Sequence, residues 1–171
     1  MDLFGTEYLA FFSRLLHVLS GVMWIGLLWY FNFVQIPSMP NIPDDQKPAI
    51  SKVIAPKALF WFRWAALATI LTGLSTAHLN EYLLNALSLG MIDGSTKTHM
   101  AIGIGMWLGI IMAYNVWMII WPNQKIALGI INTNPDQKPI AARKAMLFSR
   151  TNTALSIPML YAMVSAQNLS Y

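Results

Sequence analysis

Four long apolar runs constrain this chain more than any other feature. They extend from about Leu9 to Ile36, Leu59 to Ala77, Met100 to Trp121 and Ala145 to Ala166. A helix needs about 20 mostly apolar residues to cross a bilayer core. A lone strand of such length would be rare, and a helix satisfies its own backbone hydrogen bonds in lipid. The fourth run is the weakest, because Arg150, Asn152 and Pro158 interrupt it. Charged residues make up only 11% of the chain, against roughly 25% in an ordinary soluble domain. The sequence therefore predicts an all-α integral membrane protein, a single domain over residues 1–171 with four transmembrane helices. Between the second and third spans, Glu81 to Gly90 is apolar but too short to cross, and is expected as a short interfacial helix. The prolines at 37, 40, 43 and 48 are expected to mark an extended loop.

Asp2 and Glu7 precede the first run, where a signal peptide would be basic, so no cleaved leader is expected. Cysteine is absent, which excludes disulfides, thiolate metal sites, iron–sulfur clusters and covalently attached c-type haem. The net charge of +4 points to orientation in a membrane lipid bilayer rather than to nucleic acid. With four spans, both termini and the 78–98 loop share side A, and the other two loops share side B. Side B carries nine of the eleven Lys and Arg residues, and side A only Arg14 and Lys97. That asymmetry predicts a cytoplasmic side B and an outer, periplasmic side A in a bacterial inner membrane.

The first and third spans echo each other. His17, Gly21, Met23-Trp24-x-Gly26 and Asn32 are matched by His99, Gly103, Met106-Trp107-x-Gly109 and Asn115. Asp45-Gln46-Lys47-Pro48 is matched by Asp136-Gln137-Lys138-Pro139, and each return helix begins with an arginine, Arg63 or Arg150. The pattern predicts two hairpin repeats in tandem, about 1–95 and 96–171, related by an axis along the membrane normal.

All three histidines fall toward side A. Equivalent depths for His17 and His99 suggest two axial ligands for a b-type haem, a cofactor that needs no cysteine and fits between helices. Gly21 and Gly103, one turn from each histidine, would leave room for the macrocycle. Trp24 and Met106 would line the pocket, and His78 is an alternative ligand. The competing reading is structural, with His99 in interfacial water and the glycines serving helix packing. Toward side B, Asn32, Arg63, Asn115, Arg150 and Asn152 form a second polar group, some 22–24 Å along the helices from the histidines. Either the arginines reach lipid phosphates, or the group binds an anionic or quinone-like molecule. Trp29, Trp61, Trp64, Trp117 and Trp121 are expected in an aromatic belt.

Several of these motifs resemble the membrane domain of bacterial membrane-bound urate oxidase, the urate hydroxylase type. His17-x3-Gly21-x2-Trp24-Ile25-Gly26 with Tyr30-Phe31 is similar to its start, and Phe60-Trp61-Phe62-Arg63-Trp64 to its aromatic-basic helix start. Met112-Ala113-Tyr114-Asn115-Val116-Trp117 before Pro122-Asn123-Gln124-Lys125 is the nearest match, and Asn152 with Leu155-Ser156-Ile157-Pro158 resembles its last span. The resemblance implies a membrane partner for electron transfer on the outer side, since family members carry a cytochrome c domain that needs cysteines this chain lacks. Thr151 stands where a histidine would be expected, and Ala65 near where an acidic residue would be. A more distant resemblance is to the small membrane protoporphyrinogen oxidases, which bind haem b.

Three functions follow from this reading. The first is a haem b electron-transfer protein, with a c-type cytochrome or larger respiratory complex as partner. The second is a cofactor-free accessory subunit of a membrane complex. The third is a membrane oxidase of urate or a porphyrinogen. All seven carboxylates fall in loops or tails, which offers no acid–base constellation for self-contained catalysis.

Overall fold

The computed structural model describes residues 5–132 and 134–169, so Asp2 lies outside the described residues. They are all-helical, with no strand among them. Four long helices and one short helix make up the chain: α1 Thr6–Asn41, α2 Ala49–Leu79, α3 Leu83–Leu87, α4 Lys97–Ala127 and α5 Gln137–Asn168. Three of them, α1, α2 and α4, are long and apolar enough to cross a membrane. The 32 residues of α5 give it ample length, about 48 Å. Its apolar character is diluted by Lys138, Arg143, Lys144 and Arg150 and by the Ser149–Thr153 polar stretch.

The helices run further than the apolar runs alone suggested, and the reason is local. Ile36, Ala55 and Trp121 each direct their backbone N–H to the carbonyl five residues back, on Phe31, Ile50 and Val116. Each stands immediately before a proline: Pro37, Pro56 or Pro122. Proline lacks an N–H, and its ring crowds the carbonyl four residues back. Widening the preceding turn to a π-type turn relieves that crowding, and the helix continues. Pro37 and Pro40 therefore lie within α1, which closes in a 3-10 turn over Met39–Asn41. The extended loop expected there shrinks to a turn near 42–46, stapled by Gln46 and Lys47 N–H groups on the Pro43 carbonyl.

α1 packs chiefly on α2, and α4 on α5; lesser contacts of α2 with α4 and of α1 with α5 close the ring. The larger core joins all four, with Trp24, Leu28 and Phe31 of α1 against Phe62 of α2 and Met112 and Ile120 of α4. Phe31 meets Phe62 edge to face at 5.7 Å. A smaller core of Ala77, Ala86, Ala101, Ile102, Met106 and Ala166 lies at the other end, where α3 is docked. Outward faces carry large apolar side chains, among them Phe11, Val22, Phe33, Trp61 and Tyr161. On a soluble protein such a surface would be a liability; it suits contact with lipid.

Buried amides tie α4 to α5. Asn115 Nδ2 donates to Asn152 Oδ1 at 2.8 Å, and Asn152 Nδ2 donates to the Met112 carbonyl at 2.9 Å. Asn152 is 0% exposed. Asn152→Ala would leave the Asn115 amide without its acceptor, at a cost of about 1–3 kcal/mol. We expect a lower thermal unfolding midpoint in detergent. The Asn115→Ala, Asn152→Ala double variant should lose less than the sum of the single losses, since the pair acts as one unit. Additive losses would show that the two amides do not depend on each other.

Candidate functional site

The side chain that organises the site is His17. It sits on α1 and leans onto α2. Its Nδ1 lies 2.9 Å from the Thr69 carbonyl, so Nδ1 carries the proton and donates. The ring occupies space left by Gly73: a Cβ at that position would stand 2.8 Å from Cε1 and 3.0 Å from Nδ1. No hydrogen-bond partner for Nε2 occurs among the described residues. Ser13 and Ser20 extend the same seam along α1. Ser13 Oγ bonds Thr76 Oγ1 at 3.0 Å and donates to the Thr72 carbonyl at 3.2 Å. The hydroxyls of Thr69, Thr72 and Thr76 also bond carbonyls of their own helix. This seam escaped the sequence reading, although Ser13, His17 and Ser20 recur at helical spacing.

Beside His17 lies a cavity of about 620 Å³ between α1, α2, α4 and α5. That volume falls within the range of small-molecule and cofactor sites. Its wall is mostly apolar. Arg14, His17, Gly21 and Trp24 of α1 line it with Met106 of α4 and Met163 of α5. Gly21 faces open space, with only Thr69 Cγ2 near, at 3.9 Å. Trp24 is 1% exposed, and its Nε1 is buried without an acceptor. Tyr82, in the turn before α3, also reaches the cavity. Burial pushes its phenol pKa up, against a smaller opposite pull from the Arg14 charge, so it is a neutral hydrogen-bonding group.

Four of the expected cofactor residues, His17, Gly21, Trp24 and Met106, thus share one cavity. The other three do not line it. His99 closes the N-terminus of α4: its Nδ1 accepts the Thr96 N–H at 3.1 Å, while its own N–H donates to Thr96 Oγ1 at 3.4 Å. The ring also stacks on Tyr82, centroids 6.2 Å apart. The expected facing pair of His17 and His99 is therefore not what the structure shows. His78 is exposed in the last turn of α2. Gly103 is pressed against the Ala86 carbonyl of α3, where a Cβ would collide with it, so it serves helix packing. Among the described residues no three His, Cys, Asp or Glu side chains gather to hold a metal ion.

The polar group toward side B separates into two parts. Asn32 donates to Ser149 Oγ at 2.7 Å and to the Leu28 carbonyl at 2.9 Å, one turn of α5 from the Asn115–Asn152 pair. Asn32 Oδ1 and Gln35 Oε1 are buried without donors among the described residues, so neither pairs with an arginine. Arg63 instead lies over the Trp121 ring at 3.7 Å and the Phe60 ring at 5.4 Å. Arg150 is exposed on α5. The tryptophans also divide. Trp29 reaches the cavity and donates to Ser156 Oγ at 3.0 Å, while Trp117 Nε1 is buried unpaired.

Apolar helices of spanning length, lipid-suited outer faces and an internal apolar cavity define a helical membrane protein. Its relationship is more specific: residues 96–169, the α4–α5 hairpin, match the family model described as urate oxidase N-terminal. This supports the urate oxidase resemblance; the protoporphyrinogen oxidase likeness rests on the sequence motifs alone. No curated protein and no solved structure matches the chain.

The two glycines one turn beyond His17 and His99 should respond differently to the same substitution. With the cavity empty, Gly21→Ala adds a methyl group that meets only Thr69 Cγ2 at ordinary contact distance and gains helix propensity, so the unfolding midpoint of ligand-free protein should hold or rise. Gly103→Ala drives Cβ into the Ala86 carbonyl and should lower it by several degrees. Equal responses would contradict the different packing described for the two.

Proposed function

We propose that this chain is a membrane-embedded b-type haem protein that carries single electrons near the outer face, in which His17 would hold the haem iron. The supporting observation is the His17 imidazole, whose Nδ1 is tied to a backbone carbonyl while Nε2 is left unpaired beside an apolar cavity. Proteins commonly fix a metal-binding imidazole in this way. The other lining residues suit the group. Gly21 leaves space one turn away, Trp24 and Met106 supply an apolar wall, and Arg14 offers a positive charge to acidic side arms. Met106 also brings to the cavity a thioether, a group that could help hold a haem iron.

When bound, the haem would supply one-electron redox chemistry. The chain's residues do the rest. Thr69 holds the imidazole tautomer, Gly73 lets the ring seat against α2, and the apolar wall keeps water away from the iron ligand. His99 is not required in this account, because its Nδ1 is committed to the α4 cap.

The membrane arrangement belongs to the same reading. The four long helices are four spans, in two tandem hairpins with α3 at the interface. Arg14 and the cavity mouth face the outer side, with the cation-rich loops in the cytoplasm of a bacterial cell. A c-type cytochrome or a larger respiratory complex would then meet the protein on its outer face. The matched family is named for urate oxidase, yet no Asp or Glu lines the cavity among the described residues. That favours electron transfer over acid–base turnover of urate or a porphyrinogen. One observation favours the accessory-subunit alternative: α5 exposes Arg143, Lys144 and Arg150 along a helix that a neighbouring subunit would cover.

The test is haem content per chain in purified protein, measured as the pyridine haemochrome. His17→Ala should abolish it, Gly73→Ala should reduce it, and His99→Ala should retain it. Loss on His99→Ala with retention on His17→Ala would overturn the assignment. Absence of haem from wild-type protein made under haem-replete conditions, together with co-elution in a larger complex, would favour the accessory subunit.

A further inference from the structure

The side B end of the bundle carries a cationic site that the haem reading does not use. The Arg63 guanidinium lies over the Trp121 indole, with Cζ 3.7 Å from its centroid, and 5.4 Å from the Phe60 ring centroid. Lys125 Nζ approaches the same indole at 5.7 Å. Arg63 belongs to α2 and Trp121 and Lys125 to α4, so the site sits on the seam between the two hairpins. Arg63 makes no hydrogen bond or ion pair with another described residue, and the one ion pair among them is Lys47 with Asp44, in the α1–α2 turn. Two positive charges therefore share one ring with no anion to balance them. Around them Phe60, Trp61 and Trp64 present half-exposed apolar faces.

We infer that Arg63, Trp121 and Lys125 bind the phosphate headgroup of an anionic phospholipid. Contact with an indole ring makes no demand on the guanidinium N–H groups, and those of Arg63, unpaired with any described residue, are the groups that pair with phosphate oxygens. The ring also fixes the guanidinium in place before the ligand arrives, which lowers the ordering cost of binding. Lys125 adds a second charge, and the exposed aromatic faces give the acyl chains an apolar wall. Basic sites between helices on the cytoplasmic side recognise anionic headgroups in this manner. The bound lipid would bridge the hairpins where contact between α2 and α4 is slight.

The experiment uses the full chain in phosphatidylcholine vesicles carrying spin-labelled phosphatidylglycerol or spin-labelled phosphatidylcholine. The motionally restricted fraction of each label gives a selectivity. Wild-type protein should prefer phosphatidylglycerol. Arg63→Gln and Lys125→Gln should each lower that preference about fivefold, the loss of roughly one basic contact near the surface. Lys47→Gln, which removes the same charge elsewhere on side B, should leave it unchanged. Equal loss in Lys47→Gln would reduce the effect to net charge and overturn the site. So would an unchanged preference in Lys125→Gln, a surface change that keeps the test open if Arg63→Gln fails to fold. Displacement of the label by millimolar inorganic phosphate would assign the site to a soluble anion and overturn the lipid proposal.

Discussion

The contact between the His17 imidazole and the backbone of α2 is the one on which the candidate site depends. An ionisable ring inside an apolar bundle is expensive unless its polar atoms are satisfied. Here one nitrogen is satisfied by the Thr69 carbonyl, and the ring fits because residue 73 has no side chain. The same contact draws α1 and α2 together along the Ser13–Thr76 seam. It also fixes which nitrogen carries the proton. The opposite nitrogen is left without a protein partner, beside a cavity whose other walls come from α4 and α5. Hairpin packing, tautomer and candidate site are therefore consequences of one close approach.

The two hairpins solve the problem of buried polar groups differently, despite their similar sequences. In the first, hydroxyls and an imidazole form a ladder between α1 and α2. In the second, Asn115 and Asn152 interlock between α4 and α5. His99 is spent on capping α4, and Gly103 on admitting the carbonyl of Ala86. Likeness of residue types between the first and third helices therefore does not carry likeness of role. Part of the asymmetry comes from α3, which packs against the start of α4 and sets its Ala86 carbonyl against Gly103.

Much of the fold was legible because its cause is one-dimensional. A long apolar run in lipid has to be a helix, so the helical cores fell where hydropathy put them. The short helix at Leu83–Leu87 was also readable, from a run too brief to cross. Helix ends were less legible, because proline was read as a stop. A widened turn before Pro37, Pro56 and Pro122 cannot be seen in composition, since it depends on where the preceding N–H finds its carbonyl. For the site, His17, Gly21, Trp24 and Met106 were identified by type and spacing and do share a cavity. His99 misled because its partner is local: a Thr-x-x-His start resembles a capping box, with histidine in the usual place of Glu or Gln. Gly73 and the Arg63–Trp121 contact were missed, because pairings between helices leave no mark in the spacing along one of them.

The most direct measurement is the reduced-minus-oxidised absorption spectrum of the purified protein in detergent. The account predicts a Soret shift and a sharp b-type alpha band in proportion to the chain present. A flat difference spectrum from protein produced with ample haem would contradict it, and would leave His17 as a structural tie between α1 and α2.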